Sequence, residues 1–114
     1  MSNLIREIQQ SEFDTAVAQA AGPVVLDFFS TECPPCEALA PKYEALAGQF
    51  GDRVQFLKIY RQENRELAQR LGVTGSPTVL FFDRAGQERG ERLGGEEIKR
   101  SAIKARVEAL LGDA

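Results

Sequence analysis

Both cysteines of the chain lie in "STECPPCEALAP", residues 30–41, separated by two prolines. A thiol pair at that spacing has three possible uses: a structural staple, half of a metal site, or a dithiol that exchanges electrons with other molecules. The residues around it favour the third. Two prolines suit the first turn of a helix, where a missing N–H costs little and φ is already near helical. Cys33 then faces unpaired backbone N–H groups and the positive end of the helix dipole, which favour thiolate over thiol. Thiolate is the attacking species in thiol–disulfide exchange. Cys36, one turn later and expected to lie deeper, is within reach to attack a mixed disulfide formed on Cys33 and release the partner reduced.

Composition bears on the choice. A chain of 114 residues is long enough for one domain with a core that needs neither disulfide nor metal. Its 43% hydrophobic and 27% charged residues are those of an ordinary globule, and its net charge of −3 lacks the basic footprint that nucleic-acid binding requires. The opening "MSNLIREIQQSEFD" carries Arg6, Glu7, Glu12 and Asp14 and never reaches the apolar run of a secretory leader. Runs such as "VVL" and "TVLFF" fall far short of a membrane span. A cytoplasmic location is therefore expected, and there a disulfide kept only as a staple is rare. A zinc or iron–sulfur site needs about four Cys or His ligands. Two cysteines and no histidine do not supply them within one chain. The absence of histidine also excludes imidazole as base or proton shuttle, leaving acid–base work to carboxylates, lysines or tyrosines.

The elements that must position the cysteines follow from periodicity. "SEFDTAVAQAAG" predicts a helix capped by Ser11 with Asp14 three residues on, stopped by Gly22 and Pro23. "VVLDFFS" reads as a strand buried on both faces, interrupted only by Asp27. Leu39, Tyr43, Leu46 and Phe50 form a helical stripe closed by Gly51, with a kink expected at Pro41. "RVQFLKIY" is the next buried strand, with Lys58 as its interruption, and "ENRELAQRLG" is a short helix ending at Gly72. "SPTVLFFD" is a third strand, the charged "QERGERLGG" an edge, and Ile98, Ala102, Ile103, Val107, Leu110 and Leu111 a closing helix. This order, α-β-α-β-α-β-β-α, predicts parallel crossovers with an antiparallel edge: an α/β fold with a mixed central sheet flanked by helices on both faces.

A CxxC beside a βαβ pattern is the spacing of a thioredoxin-like redox motif, and the chain resembles the thioredoxin family over roughly residues 11–111. Further residues carry the resemblance: Asp27 in "VLDFF", Lys58 in "FLKIY", Pro41 in "EALAP", Ser76 and Pro77 in "TGSPT", and Gly94 in "RLGG". It implies that Asp27, with Lys58 behind it, takes and returns the proton of Cys36, a task suited to a carboxylate whose pKa burial has raised. It also implies a cis Ser76–Pro77 bond facing the cysteines, with the Ser76 backbone open to an extended partner segment and Gly94 bordering the groove.

Three positions depart from the family pattern. Glu32 stands where a tryptophan usually precedes the first cysteine, Phe29 replaces another tryptophan, and Pro34-Pro35 replaces Gly-Pro. A carboxylate at Glu32, about 7 Å from the Cys33 sulfur, would disfavour the thiolate by roughly 1 kcal/mol at an effective dielectric near 40. It also puts a negative charge on the docking surface, which disfavours acidic partners. Pro34 stiffens the loop and removes one N–H from the sulfur's surroundings. The expectation is a cytoplasmic, monomeric reductase of protein disulfides that works without a bound cofactor or metal and is recharged by an upstream reductase. A thioredoxin-like adaptor and a disulfide-donating oxidase are the alternatives.

Overall fold

Strand β2 (Val24–Phe29) owes its place to a near-continuous apolar run, and its first five residues are buried. Such a run has to be covered on both faces. Val24, Leu26 and Phe28 point to one side, where they pack with Leu57 and Ile59 of β3 (Gln55–Tyr60). Val25 points to the other, with Phe56. The computed structural model describes residues 4–95 and 97–112.

The first core is closed by Phe13 and Val17 and by Leu67 and Ala68 of helix α2 (Arg65–Leu71). The second is closed by Leu39, Tyr43, Leu46 and Phe50 of helix α1 (Pro34–Phe50) and by Ile103 and Val107 of helix α3 (Arg100–Leu111). The mixed sheet with helices on both faces is thus as the sequence predicts. Each fully buried Leu, Ile or Phe contributes about 1.5–3 kcal/mol, so the two cores make a rigid platform for the loops at their edge. Helix α1 continues through Pro41, which is exposed. Among the described residues no helix is long and apolar enough to cross a membrane.

Sheet order is β1-β3-β2-β4-β5, with β4 at Thr78–Phe82 and β5 at Leu93–Gly94. The structure corrects the sequence reading at three places. Residues Ile5–Ile8 form a strand, β1, parallel to β3, where no element was expected. Only Ile8 of the four is buried, so the segment carries almost no apolar signal. Because the chain turns out of β1 at Gln9, the cap moves upstream: Gln9 N–H donates to Glu12 Oε1 at 2.8 Å, in place of the expected Ser11 and Asp14 pair. The expected first helix is a 3₁₀ turn followed by a π-type turn over Asp14–Ala18, closed by Gln19 N–H donating to the Asp14 carbonyl at 3.0 Å.

The third correction matters most for function. β4 runs antiparallel to β2, although a parallel crossover was expected. Helix α2 has seven residues and spans roughly 10 Å. The rest of the connection is a 3₁₀ turn and the loop over 72–77, and the chain re-enters the sheet at the end it left. That return brings the Ser76–Pro77 loop beside the start of α1.

Candidate active site

Cys33 is the N-cap of α1, and the two prolines occupy the first turn. Its sulfur accepts a hydrogen bond from the Cys36 backbone N–H at 3.3 Å, so the helix terminus acts directly on that sulfur. The two cysteines are joined as a disulfide with Cα atoms 5.2 Å apart. The Ser76–Pro77 peptide is cis, and the Ser76 carbonyl oxygen lies 3.8 Å from the Cys33 sulfur. Thr78 pairs with Gly94 across β4 and β5, which sets Gly94 against the Pro77 carbonyl. Cys33, Cys36, Ser76, Pro77 and Gly94 therefore meet at one end of the sheet.

One expectation is reversed. Cys33, not Cys36, is the more covered of the pair, with 9% of its surface exposed against a half-buried Cys36. The cis-proline loop lies over Cys33, whereas Cys36 opens onto a cavity of about 220 Å³ behind the helix start.

That cavity is lined by Asp27, Phe29, Tyr43, Glu44 and Lys58 as well as Cys36. Asp27 and Lys58 are direct partners in the β2–β3 register, which puts both charges on the α1 face of the sheet. Asp27 is 8% exposed, and its Oδ1 atom is buried without a hydrogen-bond partner. Burial pushes its pKa from the ordinary 3.8 up to about 7, with Lys58 pulling the other way. Lys58 Nζ rests over the Phe29 ring, 5.3 Å from its centroid. The arrangement differs from a structural ion pair, in which both oxygens would be satisfied. Tyr43 supports it from beneath: its hydroxyl donates toward the Leu57 and Val25 carbonyls, 2.7 and 3.0 Å away, tying α1 to both strands that carry the charges. Burial and the neighbouring Asp27 keep that hydroxyl protonated.

On the outer side lies a polar network that sequence reasoning missed. Ser30 Oγ donates to Ser76 Oγ at 2.6 Å, and Arg61 Nε donates to the same oxygen at 2.8 Å. Thr31 Oγ1 and the Tyr60 hydroxyl are 3.2 Å apart, and the Tyr60 ring stacks at a tilt on Phe29. The only signal available was that Ser30, Thr31, Tyr60 and Arg61 lie at or just past the C-terminal ends of parallel strands, the edge where sites collect in open α/β sheets. Glu32 is exposed and has φ 51°, a left-handed conformation costly for a residue with a Cβ. Pro34 is exposed and Pro35 half-buried. Among the described residues no cluster of His, Cys, Asp and Glu has the arrangement of a metal site.

A protein-family model described as Thioredoxin matches residues 4–109. Thioredoxin from Peptoclostridium acidaminophilum is 33% identical over 112 residues, 98% of this chain and 100% of that protein. Thioredoxin X of Arabidopsis thaliana, a chloroplastic protein, is 34% identical over 94% of this chain, which spans 58% of that relative's length. The crystal structure of spinach chloroplast thioredoxin F superposes with a TM-score of 0.81 at 35% identity, covering 93% of this chain and 85% of that one. A cysteine pair at disulfide distance on a helix N-terminus, in this fold and with these relatives, has one reading: the chain belongs to the thioredoxin family and is a thiol–disulfide oxidoreductase.

Proposed function

We propose that the protein reduces disulfides of other proteins, with Cys33 as nucleophile, Cys36 as resolving thiol and Asp27, supported by Lys58, as the proton acceptor for Cys36. The Cys33 thiolate attacks one sulfur of the partner's disulfide. A Cys33–partner disulfide forms and the partner's other sulfur leaves as thiolate. Cys36 gives its proton to the Asp27 carboxylate and attacks the Cys33 sulfur, so the Cys33–Cys36 disulfide forms and the second partner sulfur departs. Two electrons have passed from the dithiol to the partner, and the two departing thiolates take protons from Asp27 and solvent. Restoring the dithiol needs a two-electron reductant, which we assign to an upstream disulfide reductase.

The observation that carries this reading is the unpaired Asp27 oxygen in the same cavity as Cys36. A carboxylate with pKa about 7 is half ionised near neutral pH, suited both to accept a proton and to return it. The partner segment lies extended against the Ser76 backbone between Pro77 and Gly94, with Glu32, Pro34 and Pro35 forming the opposite lip. We place the protein in a reducing compartment, the cytoplasm, acting as a monomer without bound cofactor. The test is the reduction potential of the Cys33–Cys36 pair, equilibrated against defined thiol–disulfide buffers and read by alkylation and mass. A potential near −270 mV supports the reductase, and one near −120 mV means a disulfide donor. A pair that does not equilibrate points to an adaptor.

A further inference from the structure

The groove beside the cis-proline continues into a larger cleft. The groove is lined by Gly72 to Thr78 with Arg92, Gly94 and Gly95. The cleft, about 560 Å³, shares Gly72, Val73 and Thr74 with it and adds Arg61, Gln62, Arg65 and Gln69. Arg61 is half-buried and held by the bond from its Nε to Ser76 Oγ, which leaves its Nη groups without a partner among the described residues. Neither Arg61 nor Arg65 pairs with a carboxylate among the described residues, although Arg89 and Arg92 do. Glu63, between them on a 3₁₀ turn, is exposed and pairs with neither.

We infer that Arg61 and Arg65 are specificity-determining residues that take a carboxylate of the partner polypeptide, a few residues along the chain from the cysteine under attack. A guanidinium immobilised through one N–H and free at its fork is preorganised to bind a carboxylate through two parallel bonds. Its anchor is Ser76, whose carbonyl is in contact with Cys33. The fork is thus on the order of 10 Å from the sulfur, about three residues of extended chain. Glu32 adjoins Cys33 and repels a carboxylate placed beside the cysteine, so the preference is positional: acidic over the cleft, neutral or basic next to the sulfur.

This inference rests on the proposed reduction of protein disulfides, and two readouts separate the two. Peptide disulfides carrying Asp, Asn or Lys two or three residues from the cysteine, on either side, are compared for their rate of reduction by the intact protein. The same peptides with serine for cysteine, which cannot react, are compared for affinity by following the Arg side-chain N–H resonances. The expected result is a three- to tenfold advantage of Asp over Lys on one side of the cysteine in both readouts, shrinking as salt is raised. Arg65→Glu, which leaves the Arg61–Ser76 bond in place, should reverse the order, and Arg61→Met should abolish it. Reduction that proceeds equally for all peptides, with equal affinities, overturns the inference and spares the function. Charge-dependent binding without reduction overturns the function and spares the inference.

Discussion

The two sides of the Cys33–Cys36 disulfide are built on opposite principles. Toward the interior, Cys36 meets an apolar cavity in which Asp27 keeps an unsatisfied oxygen and Lys58 rests over an aromatic ring. Toward the surface, Cys33 meets a loop whose serine is bonded by both Ser30 and Arg61. A buried polar group left unpaired costs about 1–3 kcal/mol, and at Asp27 that cost falls on the group to which we assign the proton transfer. Around Ser76, by contrast, two donors converge on one oxygen, and such a network fixes the geometry of the loop. One half of the site is therefore poised and the other is positioned.

The largest effect should come from separating the halves. Cys36→Ser removes the sulfur that shares a cavity with Asp27 and should stop turnover while leaving Cys33 able to attack, so that a covalent Cys33–partner adduct accumulates and is seen by mass. Cys33→Ser should give neither turnover nor adduct.

Next comes the interior carboxylate. Because the folded pKa of Asp27 lies above its ordinary value, the native state holds the proton more tightly than the unfolded chain does. Stability should therefore be greatest below about pH 4 as far as this group is concerned, fall through the interval to about pH 7, and level off. Asp27→Ala removes that slope. At pH 8.5 it should raise stability by about 4 kcal/mol, at 1.36 kcal/mol for each pKa unit, as read by urea unfolding at both ends of the interval. It should also slow release of the partner from the mixed disulfide and erase the inflection of that step near pH 7. An Asp27→Ala protein with unchanged pH dependence in both measurements would leave the interior half without its proposed role.

Tyr43→Phe tests whether the interior is held from beneath. It strips the hydroxyl that binds the Leu57 and Val25 carbonyls and should cost about 1–3 kcal/mol in unfolding free energy. The smallest change expected is on the outer lip. Glu32→Gly relieves the left-handed backbone at φ 51° and should add roughly 0.5–1 kcal/mol, measurable as a rise in Tm.

Much of the interior half was legible because it interrupts a pattern. Asp27 and Lys58 are charges flanked on both sides by apolar residues of their strands, and a charge in such a run calls for a function. The outer network is silent in the sequence. Ser30, Arg61 and Ser76 are ordinary loop residues, and nothing local distinguishes Arg61 from Arg65 or Arg70. They are brought together across separations of 15 and 46 residues. Strand β1 was silent for a related reason: with one buried residue in four, it is held by its ladder to β3 and has no hydrophobic pattern of its own.

What the sequence by itself determined is what depends on local chemistry. Two prolines and two cysteines at a helix start place a sulfur on the helix dipole, and near-continuous apolar strands oblige the sheet to be covered on both faces. Only the tertiary structure decided what lies across from that sulfur. A seven-residue helix returns the chain antiparallel, sets a cis-proline loop over Cys33 and opens Cys36 toward Asp27. Periodicity reports which residues seek burial, whereas chain direction and long-range contact depend on connection lengths and on the summed packing of the whole domain.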